Sequence, residues 1–162
     1  CYLPYTDEGR AKAQALRADL DTDQFANDLG DTVAALKARP DCSGKVGVVG
    51  FCLGGKFTYL SATRHEIDAA VSYYGVQIHE YLDEAENLHC PILMHFAGID
   101  PHVPQDTVDA IQAHMGAWDN VDIHLYPGAE HGFNRDGYPP YSEAAAGPAM
   151  QRTLAHFRKL LR

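Results

Sequence analysis

The sequence predicts an α/β fold: a mostly parallel sheet with helices on both faces. Three observations carry the prediction. Short apolar runs recur at 46–51, 69–74, 92–96 and 121–126. Segments of helical character separate them, and that alternation is how parallel strands joined by crossovers read in a sequence. The first run also ends in Gly50-Phe51-Cys52-Leu53-Gly54-Gly55, the form of a tight strand-to-helix bend. The 162 residues amount to a single domain, 1–162.

In chain order, residues 1–9 read as loop, from Pro4, Thr6, Asp7, Glu8 and Gly9. Residues 10–20 are rich in Ala, Leu, Gln and Arg and predict a helix. Asp21-Thr22-Asp23 offers caps for a second helix over 24–38, which stops before Pro40. Phe25, Leu29, Val33 and Leu36 lie at helical spacing and predict its buried stripe. A polar turn at 41–44 leads to the strand 46–51 and a helix over 52–64. The strand 69–74 ends at Gly75, and the polar stretch 77–88 is helical in part. Pro91 introduces the strand 92–96, which ends at Ala97-Gly98-Ile99-Asp100. Pro104 sits near the start of a helix that runs to about Gly116. Residues 121–126 alternate and predict a strand with one wetter face. Residues 127–140 read as a long loop with glycine and proline breaks. A closing helix over 141–161 is expected, irregular near Gly147-Pro148.

Composition excludes several functions. A net charge of −9 argues against nucleic acid or an anionic membrane as partner, since both select basic patches. No apolar run approaches the length of a membrane span. Cys1, Cys42, Cys52 and Cys90 form no C-x-x-C pair and no metal-finger spacing. No secretion signal is visible, so reduced thiols in a cytoplasmic protein are the expectation. The nine histidines are scattered, with no H-E-x-x-H. Neither a metal nor a cofactor is therefore expected.

The glycine-rich bend supports three readings. Gly50-x4-Gly55-Lys56 opens like a phosphate-binding P-loop, but Phe57 stands where that motif needs Ser or Thr for magnesium. A dinucleotide fingerprint would need glycine at Cys52. The third pattern is G-x-C-x-G, a nucleophile elbow with cysteine in the serine's place. There, small flanking residues avoid Cβ clashes in the bend. The helix N-terminus also offers free N–H groups to a thiolate and later to an oxyanion. Read alone, Cys52 could equally be a buried cysteine in an ordinary turn.

Two more strand ends carry chemistry: Asp100 after the third strand and His131 after the fourth. Singly, Asp100 reads as a helix cap and His131 as a solvated loop residue. Together they follow the order nucleophile, acid, histidine of the α/β-hydrolases. The predicted fold is therefore the α/β-hydrolase fold, with Leu53 N–H as an oxyanion donor.

The stretches GKVGVVGFCLGG, SYYGV at 72–76, AGIDPHVP and YPGAEHGFNR resemble the dienelactone hydrolase (carboxymethylenebutenolidase) family. The resemblance implies a Cys52-Asp100-His131 triad and hydrolysis of a lactone through a thioester, with a place in aromatic degradation. It implies that dienelactone is opened to maleylacetate, and that two arginines, Arg135 and Arg10, hold the substrate carboxylate. A general carboxylesterase is the nearest alternative, and a non-catalytic or redox-sensing thiol protein is an alternative of another class. The expected partner is a small lactone or ester. The resemblance further implies that sheet strands, an oxyanion donor and a glutamate near the cysteine lie N-terminal to this sequence. On that basis the nucleophile strand is expected to show an apolar edge, and the chain alone is not expected to form an active, soluble monomer.

Overall fold

In the computed structural model, residues 3, 4 and 6–162 are described. Two helices come first, α1 (Asp7–Ala18) and α2 (Thr22–Lys37). Then β1 (Gly47–Phe51), α3 (Leu53–Arg64) and β2 (Ala69–Tyr73) follow, with a 3₁₀ segment at Ile78–Asn87. The chain ends with β3 (Ile92–Ile99), α4 (Gln105–Met115), β4 (Val121–Glu130) and α5 (Glu143–Leu160). The strands pair in parallel in the order β1-β2-β3-β4. Each pair is joined by a helical crossover, as parallel pairing requires. Among the described residues no helix is long and apolar enough to cross a membrane. Cys42, Cys52 and Cys90 are free thiols, while Cys1 lies outside the described residues.

Alternation along the strands makes two cores. Ala70, Ile92, Met94 and Phe96 pack on one face with residues of α2, α3, α4 and the 3₁₀ segment. Val71, Tyr73, Leu93 and Ala97 pack on the other with Ala145, Ala146 and Ala149 of α5. Helices therefore cover both faces, as the sequence predicts. At the β1 edge, Val49 and Phe51 are 45% and 44% exposed.

Four elements differ from the sequence reading. First, α1 begins at Asp7, inside the expected loop, because Thr6 Oγ1 accepts from Gly9 N at 3.1 Å and so caps it. Second, the buried stripe of α2 is only half as expected: Val33 is buried and Leu29 packs against the core, but Phe25 and Leu36 remain 38% and 43% exposed and Ala26 is buried instead. Its contact is centred on small residues: the His65 ring lies against Gly30, and His65 Nε2 meets the Ala26 carbonyl at 2.8 Å.

Third, β4 runs on to Glu130, through Pro127 and Gly128, which had read as the start of a loop. Proline is tolerated there because β4 is an edge strand. The ladder shifts register between Ala97 and Ile99, where a Cβ on Gly98 would come within 2.5 Å of Pro127 Cα. Fourth, α5 passes through Pro148 as one helix. The N–H that proline lacks would have bonded the carbonyl of Ala144, an exposed residue whose carbonyl can turn to water.

A polar network is buried under α5. His95 is fully buried, with Nε2 3.2 Å from Thr153 Oγ1 and Nδ1 3.1 Å from the Tyr126 hydroxyl. Tyr73 OH also reaches Thr153 Oγ1, at 2.7 Å. Burial, aided by the charges of His124, Arg152 and His156, pushes His95 down to about 3. The folded protein thus keeps this ring neutral while the unfolded chain protonates it below an ordinary histidine pKa of about 6.5. Stability should fall between about pH 6.5 and 3, by up to ~1.4 kcal/mol per pH unit from this residue. Urea denaturation across that range should show His95→Gln with a shallower slope, by about one proton. An unchanged slope would remove His95 from the acid limb.

Candidate active site

Cys52 is the single residue between β1 and α3, and it sits at φ 56°, ψ −117°. A non-glycine residue there is strained, at a cost of about 1–3 kcal/mol, and needs its surroundings to hold it. Three hydrogen bonds do so. Cys52 N donates to the Tyr73 carbonyl at 3.0 Å, and the Cys52 carbonyl accepts from Gly55 N at 3.0 Å and Val76 N at 3.3 Å. Close packing does the rest. A Cβ on Gly50 would lie 2.0 Å from the Gly54 carbonyl oxygen, and one on Gly55 would lie 2.6 Å from Gly75 Cα. Gly54, by contrast, faces open space. The clash expected of both residues flanking the elbow is therefore real at Gly50 and absent at Gly54, while Gly55 carries the second constraint.

β3 and β4 deliver the other two groups. The Asp100 side chain is fully buried at the end of β3. Its Oδ1 accepts from His102 N at 2.8 Å and Val103 N at 3.2 Å, and its Oδ2 meets His131 Nδ1 at 2.8 Å. His131 directly follows β4, so a strand end holds it rather than a flexible loop. The rings of Tyr74 and His102 flank it, at 4.7 and 4.8 Å between centroids. Its Nε2 is buried and makes no hydrogen bond among the described residues.

Cys52 and His131 shift one another. Burial pushes the Cys52 thiol up, but His131, the Leu53 N–H and the charge of Arg17 outweigh it, and the net shift is down. Burial works against the His131 imidazolium, yet the Asp100 carboxylate and Cys52 push it up to about 9. Both shifts favour thiolate and imidazolium over the neutral pair. Among the described residues no group of three or more His, Cys, Asp or Glu is placed to hold a metal ion.

The structure thus brings Cys52, Leu53, Asp100 and His131 together. Arg135 is exposed two residues past Phe133, with its guanidinium 4.3 Å from the Tyr138 ring centroid, and its charge reaches Tyr74. Arg10 is exposed on α1 and pairs with Asp7 at 3.9 Å. Phe133 is fully buried among Tyr73, Tyr74 and Tyr126. Two further residues join the site: Arg17 has no counterpart in the sequence reading, and Lys56 entered it only as the lysine of the P-loop pattern. Arg17 is two turns along α1 from Arg10, and Lys56 is one turn into α3 from Cys52. The (i, i+4) spacing from the cysteine was the legible signal for Lys56.

The sequence model of the dienelactone hydrolase family matches residues 5–161. Carboxymethylenebutenolidase 1 of Cupriavidus pinatubonensis is 32% identical over 145 residues, which is 90% of this chain and 62% of that protein. Carboxymethylenebutenolidase of Pseudomonas putida is 33% identical over 151 residues, 93% of this chain and 64% of that protein. A solved chain from Klebsiella pneumoniae with a dienelactone hydrolase label superposes with a TM-score of 0.76 at 34% identity, covering 84% of this chain and 61% of that one. The chain therefore spans 62–64% of the length of these curated relatives.

Two predictions follow from the bend and from the ion pair. Gly50→Ala should destabilise by about 1–3 kcal/mol or more through overpacking, whereas Gly54→Ala should be neutral or stabilising by up to about 1 kcal/mol. Urea midpoints of the two variants check this, and equal losses would refute the packing argument. Alkylation of Cys52 by iodoacetamide should stay fast at pH 7, below the ordinary thiol pKa of about 8.5. It should slow at least ~10-fold in His131→Ala. Site-resolved mass spectrometry separates Cys52 from the other thiols, and equal rates in both proteins would break the assigned pairing.

Proposed function

Because the chain belongs to the dienelactone hydrolase family, we propose that its protein hydrolyses a lactone or ester, with Cys52 as nucleophile, His131 as base and Asp100 as its orienting acid. One observation carries the reading. His131 gives Nδ1 to a buried carboxylate and leaves Nε2 buried and unpartnered beside a thiol whose pKa it lowers. That is the division of labour of a nucleophile–base–acid triad.

The chemistry proceeds from those groups. The Cys52 thiolate attacks the carbonyl carbon, and the electron pair moves to the carbonyl oxygen. The Leu53 N–H at the start of α3 donates to that oxyanion. Collapse expels the ring or ester oxygen, which takes its proton from the His131 imidazolium. A thioester remains. His131 then takes a proton from water, the hydroxide attacks the thioester, and Cys52 leaves as thiolate. Asp100 holds the imidazole tautomer throughout. A thiolate suits lactones and activated esters, whose leaving groups are good.

The substrate that fits best is dienelactone, opened to maleylacetate, with Arg135 and Arg10 on its carboxylate. Arg135 is the better supported of the two, since it follows His131 closely and its charge is felt at Tyr74. A general carboxylesterase is the second reading. A P-loop nucleotide site is disfavoured: one residue separates β1 from α3, which leaves no loop to wrap a phosphate.

Full-length protein should turn over dienelactone, with Cys52→Ala lowering kcat by at least ~10³-fold. Arg135→Gln should cost ~10-fold or more in kcat/KM on the carboxylate-bearing lactone and under ~3-fold on a neutral aryl ester. Equal losses on both would remove Arg135 from carboxylate binding. Activity on the aryl ester alone would favour the esterase, and no turnover of either would leave a thiol-sensing protein.

A further inference from the structure

Beside the nucleophile lies a cleft of about 400 Å³, formed where α1, α2, α3 and the 3₁₀ segment meet. That is large enough for a small ligand group. Leu53, next to Cys52, forms one wall, and Arg17, Thr22, Lys56, Gln77 and Tyr81 line the rest. Arg17 is near enough for its charge to be felt at the Cys52 thiol. The cleft and the reacting sulfur therefore share one electrostatic environment.

Lys56 is the anomaly in it. The residue is only 4% exposed, yet among the described residues it has no ion pair. Its Nζ makes two long contacts to neutral oxygens, 3.3 Å to Thr22 Oγ1 and 3.4 Å to Gln77 Oε1. It also lies 4.9 and 5.8 Å from the Phe57 and Tyr81 ring centroids. An ammonium has three donors and loses strong hydration on burial, so this partnering leaves it under-satisfied. The negative charge felt there is that of Glu80, which is engaged instead by Gln77 Nε2 at 3.2 and 3.3 Å. Gln77 holds this position at φ 60°, a strained conformation for a non-glycine residue. Backbone strain, a buried cation with weak partners and an adjoining cleft with a second cation occur together, one helical turn from the nucleophile.

We propose that the Lys56–Arg17 cleft is a carboxylate subsite, so that the preferred substrates are esters or lactones bearing an anionic group that docks there. This rests on the hydrolase reading above and adds a specificity site distinct from Arg135 and Arg10. An incoming carboxylate supplies the charge-assisted bonds that Lys56 lacks, with the Gln77 and Thr22 side chains completing its surroundings. A neutral substrate would leave the ammonium unpaired, which is discrimination by desolvation.

The test uses the full-length protein with Lys56→Met, which keeps the aliphatic stem, and Lys56→Arg, which keeps the charge. Thermal unfolding confirms that each variant is folded. Calorimetric titration with succinate should show binding to the parent, at least ~10-fold weaker binding to Lys56→Met and rescue in Lys56→Arg. The ratio of kcat/KM for p-nitrophenyl hemisuccinate over p-nitrophenyl acetate should fall at least ~10-fold in Lys56→Met. Succinate binding that is absent from the parent, or equal in parent and Lys56→Met, overturns the subsite. Inorganic phosphate bound where succinate is not overturns the carboxylate assignment. If succinate binding depends on Lys56 while neither ester turns over, the subsite stands and the hydrolase reading falls. If both esters turn over with an unchanged ratio, the hydrolase stands and the subsite falls.

Discussion

The structure depends on one forced bend. Cys52 occupies a backbone conformation that an L side chain rarely adopts, and the chain on both sides is built to hold it there. β1 brings Gly50 against the first turn of α3, and α3 brings Gly55 against Gly75. The strand end of β2 supplies the carbonyl of Tyr73 to Cys52 N. These contacts do more than make the bend possible. They aim the thiol at the carboxyl ends of the strands, where parallel sheets gather their chemistry. Without the bend, Cys52 would be one more cysteine in a turn.

The second constraint is electrostatic. A buried carboxylate is costly unless it is hydrogen-bonded, and Asp100 answers that cost with two backbone N–H groups and one imidazole N–H. Its satisfied charge is then available to raise His131, whose proton in turn lowers Cys52. The order matters: the rigid backbone loop at Asp100 to Val103 anchors the acid, the acid orients the ring, and the ring activates the sulfur. His95 shows the contrast. It is also buried and hydrogen-bonded, but to hydroxyls, so burial prevails and it stays neutral.

The parts legible in the sequence are those set by local rules. The βα bend, the strand ends and the triad order all follow from short patterns in which glycine, proline and apolar period have one dominant meaning. The misreadings arose where tertiary context overrode a local signal. Pro127 and Gly128 read as a turn, but an edge strand tolerates the proline and Gly98 makes room for it. Of the stripe read for α2, Leu29 and Val33 do face the core, but small Ala26 and Gly30 rotate the contact so that Phe25 and Leu36 stay exposed. Gly54 read as a steric necessity, and only the three-dimensional surroundings distinguish it from Gly50. Arg17 was missed because it carries no motif, and Lys56 because the only motif that held it was the disfavoured P-loop pattern. Their chemistry exists only once α1, α2 and α3 are brought to one cleft.

Charge distribution connects these levels. The chain carries a net charge of −9, so its overall field repels anions. Yet positive charge from Arg17 and His131 is felt at Cys52, the buried Lys56 lies one helical turn along α3, and the charge of Arg135 is felt at Tyr74. Low-dielectric walls focus such a local field and leave the distant surface carboxylates to be screened by solvent and salt. The charges of His131 and Arg17 favour the Cys52 thiolate over the thiol. The lowered thiol and the cleft lined by Arg17 and Lys56 therefore lie side by side at the bend.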